Sequence, residues 1–186
     1  PLCPYGLSKL AGEQYLELYR RVYGFDSVAL RFANVYGPRQ SPKGEAGAVA
    51  IFGELLLAGK TPTVFGDGQQ TRDFIYIDDL VEALLIASEA EVQGPLNLGS
   101  GEETSILDLV NGLREAGHTL NGEGPPPGTT FQPDFDRGRP GEVRRISISP
   151  ARAARELEWT PSTPLTKGLA QTLRAIGNRT PARTRA

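Results

Sequence analysis

"TPTVFGDGQQTRDFIYIDDLVEALLIASEAEVQGPLNLGS", residues 61–100, holds the alternation that decides the fold. Its opening "TPTVFG" is a short β-prone run closed by Gly66 and reads as a strand. "DDLVEALLIASEA" (78–90) carries apolar side chains at helical spacing, with Asp78 placed to cap its start. "PLNLGS" (95–100) reads as a strand again. Strands that alternate with helices indicate an α/β sheet joined by crossovers.

The same alternation extends in both directions. Upstream, "SVALRF" (27–32) is short and apolar enough for a buried strand, and the loop "NVYGPRQSPKGEAG" (34–47) ends it. A helix reads from Ala48 to Ala58 and stops at Gly59. At the beginning, Leu7, Leu10, Ala11, Leu18 and Val22 form one stripe between Pro4 and Gly24, which predicts a helix over about residues 5–22. Downstream, Thr104 or Ser105 caps the helix "ILDLVNGLREAG" (106–117). After Gly117 the chain turns rich in glycine and proline, which predicts a long loop with an extended piece around 129–132. Two further helices, "PARAARELEW" (150–159) and "PLTKGLAQTLRAI" (164–176), precede a polar tail, 177–186, expected to be disordered.

Of the 186 residues, 39% are hydrophobic and 23% charged, the balance of an ordinary globular chain with a real core. A net charge of −2 supplies no broad basic field for nucleic acid or anionic lipid, so a phosphate ligand needs locally placed arginines. No apolar run approaches the roughly 18 residues of a membrane-spanning helix. Cys3 is the single cysteine, which excludes an internal disulfide and a cysteine-built zinc site and is consistent with a cytoplasmic setting. It has no visible activating partner.

Tyr5 and Lys9 stand four apart on the first helix, so a phenol and an ammonium share one face. A phenol titrates near 10 and acts as a base near neutrality only beside a cation. A solvated surface pair is the alternative, and the spacing does not choose between them. Arg72 offers a planar fork suited to phosphate oxygens, or a structural ion pair with the neighbouring Asp73, Asp78 and Asp79. The Gly-x-Gly of "NLGSG" is better read as a strand-to-helix turn than as a phosphate loop. His118 follows a helix end and suits its dipole.

"PYGLSK" (4–9), "LRFANVYGPRQ" (30–40), "GEAGAVAIF" (44–52), "VFGDGQQTRDFIYIDDLVEALLIA" (64–87), "NLGSGEETSILDL" (97–109), "RPGEV" (139–143) and "LEWTPSTPLTKGL" (157–169) follow one another in a specific order. In that order the chain resembles the C-terminal part of the extended short-chain dehydrogenase/reductase family, within it the nucleotide-sugar epimerases of the UDP-glucose 4-epimerase type. The resemblance runs from Pro1 to Ile176. It implies the last part of a doubly wound NAD-binding (Rossmann) sheet, residues 1–35 and 67–100, interleaved with a small α/β nucleotide-sugar-binding domain, residues 36–66 and 101–176. It also implies that the family's Gly-rich NAD loop and catalytic Ser or Thr lie upstream, that this chain alone is inactive, and that the complete protein is a homodimer.

The resemblance carries roles to particular residues. Tyr5 takes the proton from the sugar 4-hydroxyl, and Lys9 assists it and binds the nicotinamide ribose of NAD, with Phe32 near the nicotinamide. Arg72, Arg139 and Asn34 meet the diphosphate of a UDP-sugar, Glu142 its ribose, Val49 and Phe65 the uracil pocket, and Ile146 the sugar 2-substituent. For Val49, Phe32, Phe65 and Ile146 the alternative is a plain place in the core. The implied activity is 4-epimerisation of UDP-glucose and UDP-galactose through a 4-keto sugar. A 4,6-dehydratase, a UDP-glucuronate decarboxylase or a non-catalytic nucleotide-sugar-binding module is the alternative.

Overall fold

The computed structural model describes residues 4–43, 47–120, 124–139 and 141–179; Cys3 and most of the tail expected to be disordered lie outside them. Helix α1 (Pro4–Tyr23) leads to β1 (Val28–Phe32), β2 (Asn34–Tyr36), α2 (Ala48–Leu57), β3 (Thr63–Phe65), β4 (Thr71–Arg72) and β5 (Phe74–Tyr76). Then come α3 (Ile77–Glu89), β6 (Gly94–Leu98), β7 (Thr104–Ser105), α4 (Ile106–His118), β8 (Asp134–Asp136), α5 (Ala151–Glu156) and α6 (Leu165–Gly177).

The pairing is mostly parallel, as crossover connections require. β1 runs beside β6 from Val28↔Gly94 to Phe32↔Leu98, and β2 runs beside β5 from Asn34↔Phe74 to Tyr36↔Tyr76. Between them the chain changes partner within two residues. The N–H of Ala33 still donates to the Leu98 carbonyl (3.0 Å), whereas that of Asn34 donates to the Asp73 carbonyl (2.8 Å). Such a fork opens a crevice at the carboxyl ends of the strands, the usual place for a ligand in an open α/β sheet. β3 pairs with β8 in parallel, and β4 with β7 antiparallel.

Two apolar clusters flank the fork. One gathers Val49, Phe52 and Leu56 of α2, Leu109 and Leu113 of α4, and Leu169 and Leu173 of α6 around Tyr36, Phe74 and Tyr76. A leucine buried as completely as Leu109 or Leu113 stabilises the fold by about 1.5–3 kcal/mol relative to exposure. The other gathers Leu96 and Leu98 of β6, Leu80 and Ala83 of α3, and Ala153, Leu157 and Trp159. The last three belong to a stretch expected on the sugar-binding side, yet their packing partners are β6 and α3.

Several local expectations shift. Residues 34–36, read as loop, and 71–76, given no strand, form β2, β4 and β5; each is two or three residues long and is specified by partners far along the chain. The extended piece expected at 129–132 pairs instead at 134–136, where β3 supplies a ladder. Helix α3 begins at Ile77 with Tyr76 in the capping place and no side-chain cap, so Asp78 only adds charge to the first turn. The neighbouring Asp79 is buried and accepts from Ser162 Oγ, Thr163 N and Thr163 Oγ1, each at 3.0 Å, fastening the α5–α6 link to α3. Both cap candidates for α4 lie in β7, and it is Ser105 that caps the helix, accepting from the Asp108 N–H at 3.0 Å.

Helix α1 buries none of its side chains. Its main contacts are with β1 and β6, partly through a two-pronged contact from Arg31 to Glu13 (2.6 and 2.8 Å). Tyr5, Leu7, Tyr15, Leu18, Val22 and Tyr23 are all exposed. Among the described residues no helix is long and apolar enough to cross a membrane, and no group of His, Cys, Asp and Glu is disposed to hold a metal.

Candidate nucleotide-sugar site

The fork between β1 and β2 opens into a cavity of about 200 Å³ lined by Asn34, Tyr36, Gln40, Val49, Arg72 and Glu142, among others. Asn34 is the first residue after the change of partner, its backbone tied to Asp73 and its side-chain amide without a partner among the described residues. Val49 sits in the first turn of α2, buried at the cavity wall. Arg72 ends β4, and Glu142 arrives from a segment with no regular structure.

Arg72 is held from several sides. Its Nη1 donates to the carbonyls of Thr71 and Val143, both at 2.8 Å, and its Nη2 donates to Glu142 Oε1 at 2.9 Å. The pair is half-withdrawn from solvent, with 17% of the arginine side chain and 28% of the glutamate exposed. Neither Asp73, Asp78 nor Asp79 is its partner, because the Asp73 and Asp79 carboxylates turn inward to other donors. A guanidinium with donors left over, beside a lone amide and at the end of a fork, is an arrangement suited to a phosphate oxyanion.

Segment 142–148, which brings Glu142, is fastened along its length. The Thr71 N–H donates to the Arg144 carbonyl (2.9 Å), Arg144 grips Asp67 with both Nη atoms (2.7 and 2.8 Å), and Arg145 grips Glu103 (2.8 and 2.9 Å). Hydrogen bonds from Arg144 and then Gln69 hold the Asp67 carboxyl down at about 2, and hydrogen bonds from Arg145 and then Thr71 do the same for Glu103. Ile146, in the middle of this segment, is half-buried and belongs to neither apolar cluster.

The remaining expected residues lie in three other places. Arg139 does not line the cavity; its guanidinium carbon stands 3.9 Å from the centre of the Phe65 ring, a cation–π contact set up by the β3–β8 pairing. Tyr5 and Lys9 meet on α1, with Lys9 Nζ 5.3 Å from the phenol ring centre and the tyrosine 66% exposed. Phe32 closes β1, opposite Leu98 and 47% exposed, so it is no core residue.

Tyr36 and Gln40 complete the cavity and carry no signal in the sequence beyond their place in "NVYGPRQ". Tyr36 is 2% exposed, edge-on to Phe74 and Tyr76, and burial followed by the Asp79 charge pushes its phenol pKa up. It is a neutral wall residue, in contrast to the open Tyr5. Gln40 donates to the Val35 carbonyl (3.0 Å) and leaves its Oε1 buried without a partner among the described residues. A larger cavity, about 410 Å³, lies between α1 and β1, lined by Leu10, Leu16, Leu18, Ala29 and Pro95 among others. It contains none of the expected site residues, so the smaller cavity is the candidate place for the nucleotide.

A family model described as the NAD dependent epimerase/dehydratase family matches residues 1–99. Over 96% of its length the chain is 41% identical to the UDP-glucose 4-epimerase of Mycolicibacterium smegmatis, of which it covers 54%. The structure is similar to that of the UDP-glucose 4-epimerase of Thermotoga maritima, solved with UDP-glucose, at a TM-score of 0.86 and 39% identity, covering 95% of this chain and 54% of that one. It is equally similar, at a TM-score of 0.87 and 26% identity over 97% of this chain and 55% of that one, to a UDP-N-acetylglucosamine 4-epimerase from Methanobrevibacter ruminantium in complex with UDP-N-acetylmuramic acid. The chain thus spans about half the length of the relatives it matches.

Proposed function

Since this chain belongs to the NAD dependent epimerase/dehydratase family, we propose that it supplies the nucleotide-sugar site and the tyrosine–lysine pair of an enzyme that epimerises a UDP-hexose at C4. UDP-glucose and UDP-galactose are the proposed pair. The observation that carries the reading is the convergence of Asn34, Val49, Arg72 and Glu142 on one cavity at the fork of the sheet.

Whether the residues fit NAD is decided on α1. Tyr5, Lys9 and Gly12 follow at i, i+4 and i+7 on one face, and a Cβ placed on Gly12 would find no atom within 4 Å. That flank is open, and it offers an ammonium and a phenol, groups that suit a ribose diol. The residues present therefore fit. The chemistry that bound NAD supplies is reversible acceptance of a hydride from the sugar C4.

The phenol oxygen of Tyr5 is the group that takes the proton of the 4-hydroxyl and later returns it. Lys9, over the ring, stabilises negative charge developing on that oxygen and donates to the ribose hydroxyls. At the other end, in the cavity, Arg72 and Asn34 hold the diphosphate, Glu142 accepts from the uridine ribose and Val49 flanks the base, while Arg139 and Phe65, packed on each other outside the cavity, extend the diphosphate and base contacts. A sugar that must present both faces cannot be gripped itself, so affinity has to come from the nucleotide. In the full-length protein, Tyr5→Phe should abolish conversion of UDP-glucose to UDP-galactose, followed by NMR, while leaving UDP affinity within twofold. Full turnover by the Phe variant excludes the assignment.

A further inference from the structure

Arg72 faces the cavity; the next side chain, Asp73, faces away from it and is completely buried, 0% exposed. Among the described residues its carboxylate has no cation partner. Oδ1 accepts from Ser100 N (2.8 Å) and Ser100 Oγ (2.7 Å), and Oδ2 accepts from Gly101 N (3.0 Å) and Ile148 N (3.1 Å). A buried carboxylate is tolerated only when its lone pairs are filled in this way, and four donors leave it little freedom. Gly99 supports the same point: a Cβ there would stand 2.7 Å from Asp73 Oδ2 and 2.6 Å from Ile148 Cγ1, so the glycine leaves room for the carboxylate and for segment 142–148 to meet.

Segment 142–148 has no ladder of its own, so its path is set by what fastens it. Arg72 holds one end through Val143 and Glu142, Asp73 holds the other through Ile148, and Ser147 Oγ adds a bond to the Gly101 carbonyl at 3.0 Å. The intervening Arg144–Asp67 and Arg145–Glu103 pairs are largely exposed and contribute little. The Asp73 carbonyl, in addition, accepts from Asn34 N. One residue thus connects the three segments that carry Asn34, Arg72 and Glu142.

We propose that Asp73 is a positioning residue for the nucleotide end of the substrate, acting through the segment that it anchors at Ile148 and that presents Glu142. This rests on the UDP-sugar reading above. The test uses the full-length enzyme and Asp73→Asn, which keeps shape but turns an amide NH₂ toward N–H donors and so loses two of the four bonds. UDP binding, measured by calorimetry, should weaken at least tenfold, and KM for UDP-glucose should rise with a much smaller change in kcat. Amide hydrogen exchange at 142–148 should accelerate. In a Glu142→Ala background most of the loss in UDP affinity should vanish, a coupling that general destabilisation does not produce. Ser100→Ala, a milder change that removes one donor, should weaken UDP two- to fivefold, again only while Glu142 is present, and serves if the Asn variant does not fold. If wild type binds UDP and Arg72→Ala weakens it, but Asp73→Asn and Ser100→Ala do not, this proposal fails and the site assignment stands. Effects that simply add in the Glu142→Ala background overturn it equally. If wild type binds no UDP at all, both readings fall.

Discussion

Arg72→Ala in the full-length protein offers a graded test of the anion clamp, because the structure separates what the guanidinium does for the protein from what it does for the ligand. On the protein side it loses the bonds to Val143 and Glu142, which loosens segment 142–148. On the ligand side it loses a charge-assisted bond to a diphosphate oxygen, about 1.5–3 kcal/mol. At about 1.4 kcal/mol per tenfold, that is roughly a 10- to 150-fold rise in Kd. Glu142, now without its counterion, adds repulsion, which Glu142→Gln in the same protein should remove. Uridine has no diphosphate and feels only the loosening. Calorimetry should therefore show a Kd ratio, variant over wild type, that is about tenfold or more larger for UDP than for uridine. Equal ratios for the two ligands refute the diphosphate role, whatever their size.

Other expectations are as direct. Lys9→Ala should lower the NAD content of the purified full-length enzyme together with its rate; an unchanged content counts against the ribose contact. A methyl on Gly168 would clash with the Tyr36 hydroxyl, so Gly168→Ala should destabilise by about 1–3 kcal/mol in urea unfolding, the scale for overpacking, and unchanged stability would mean that the α6–Tyr36 contact is looser than it looks. Asp67 and Glu103 have folded pKa values of about 2, below their ordinary values of 3.8 and 4.5, so the unfolded chain binds more protons as pH falls. Their contribution, small because both ion pairs lie at the surface, is complete above about pH 4.5 and is lost as pH falls toward 2, and Asp67→Asn with Glu103→Gln should flatten the pH dependence of the urea midpoint only slightly across that window. For substrate choice, Ile146→Tyr should lose activity on the N-acetyl UDP-sugars selectively and Ile146→Ser should gain it; if neither shifts the ratio of kcat/KM for the two sugar pairs, Ile146 gates nothing.

What could be read from the amino-acid order alone was whatever is encoded locally. The stripe of Leu7, Leu10, Leu18 and Val22, the stop at Gly59 and a cap at Thr104 or Ser105 each depend on neighbours within a turn or two, and the helices lie within a residue or two of where those signals put them, save that the α5 helix ends at Glu156, three residues short of the predicted 159. The Tyr5–Lys9 juxtaposition was legible for the same reason, since helical geometry dictates it. β2, β4, β5 and β8 were not legible, because two or three residues carry no periodicity and become strands only when a distant partner offers a ladder. Nor could the order of residues tell that Arg72 turns to Glu142, 70 positions away, rather than to the aspartate beside it. Consecutive side chains on an extended backbone point to opposite faces, so adjacency in sequence sends Arg72 to the cavity and Asp73 to the interior. Which carboxylate becomes the partner of an arginine, and which is buried among four donors, is settled by where the sheet brings Ser100, Gly101 and Ile148, a placement that exists only once the fold has closed.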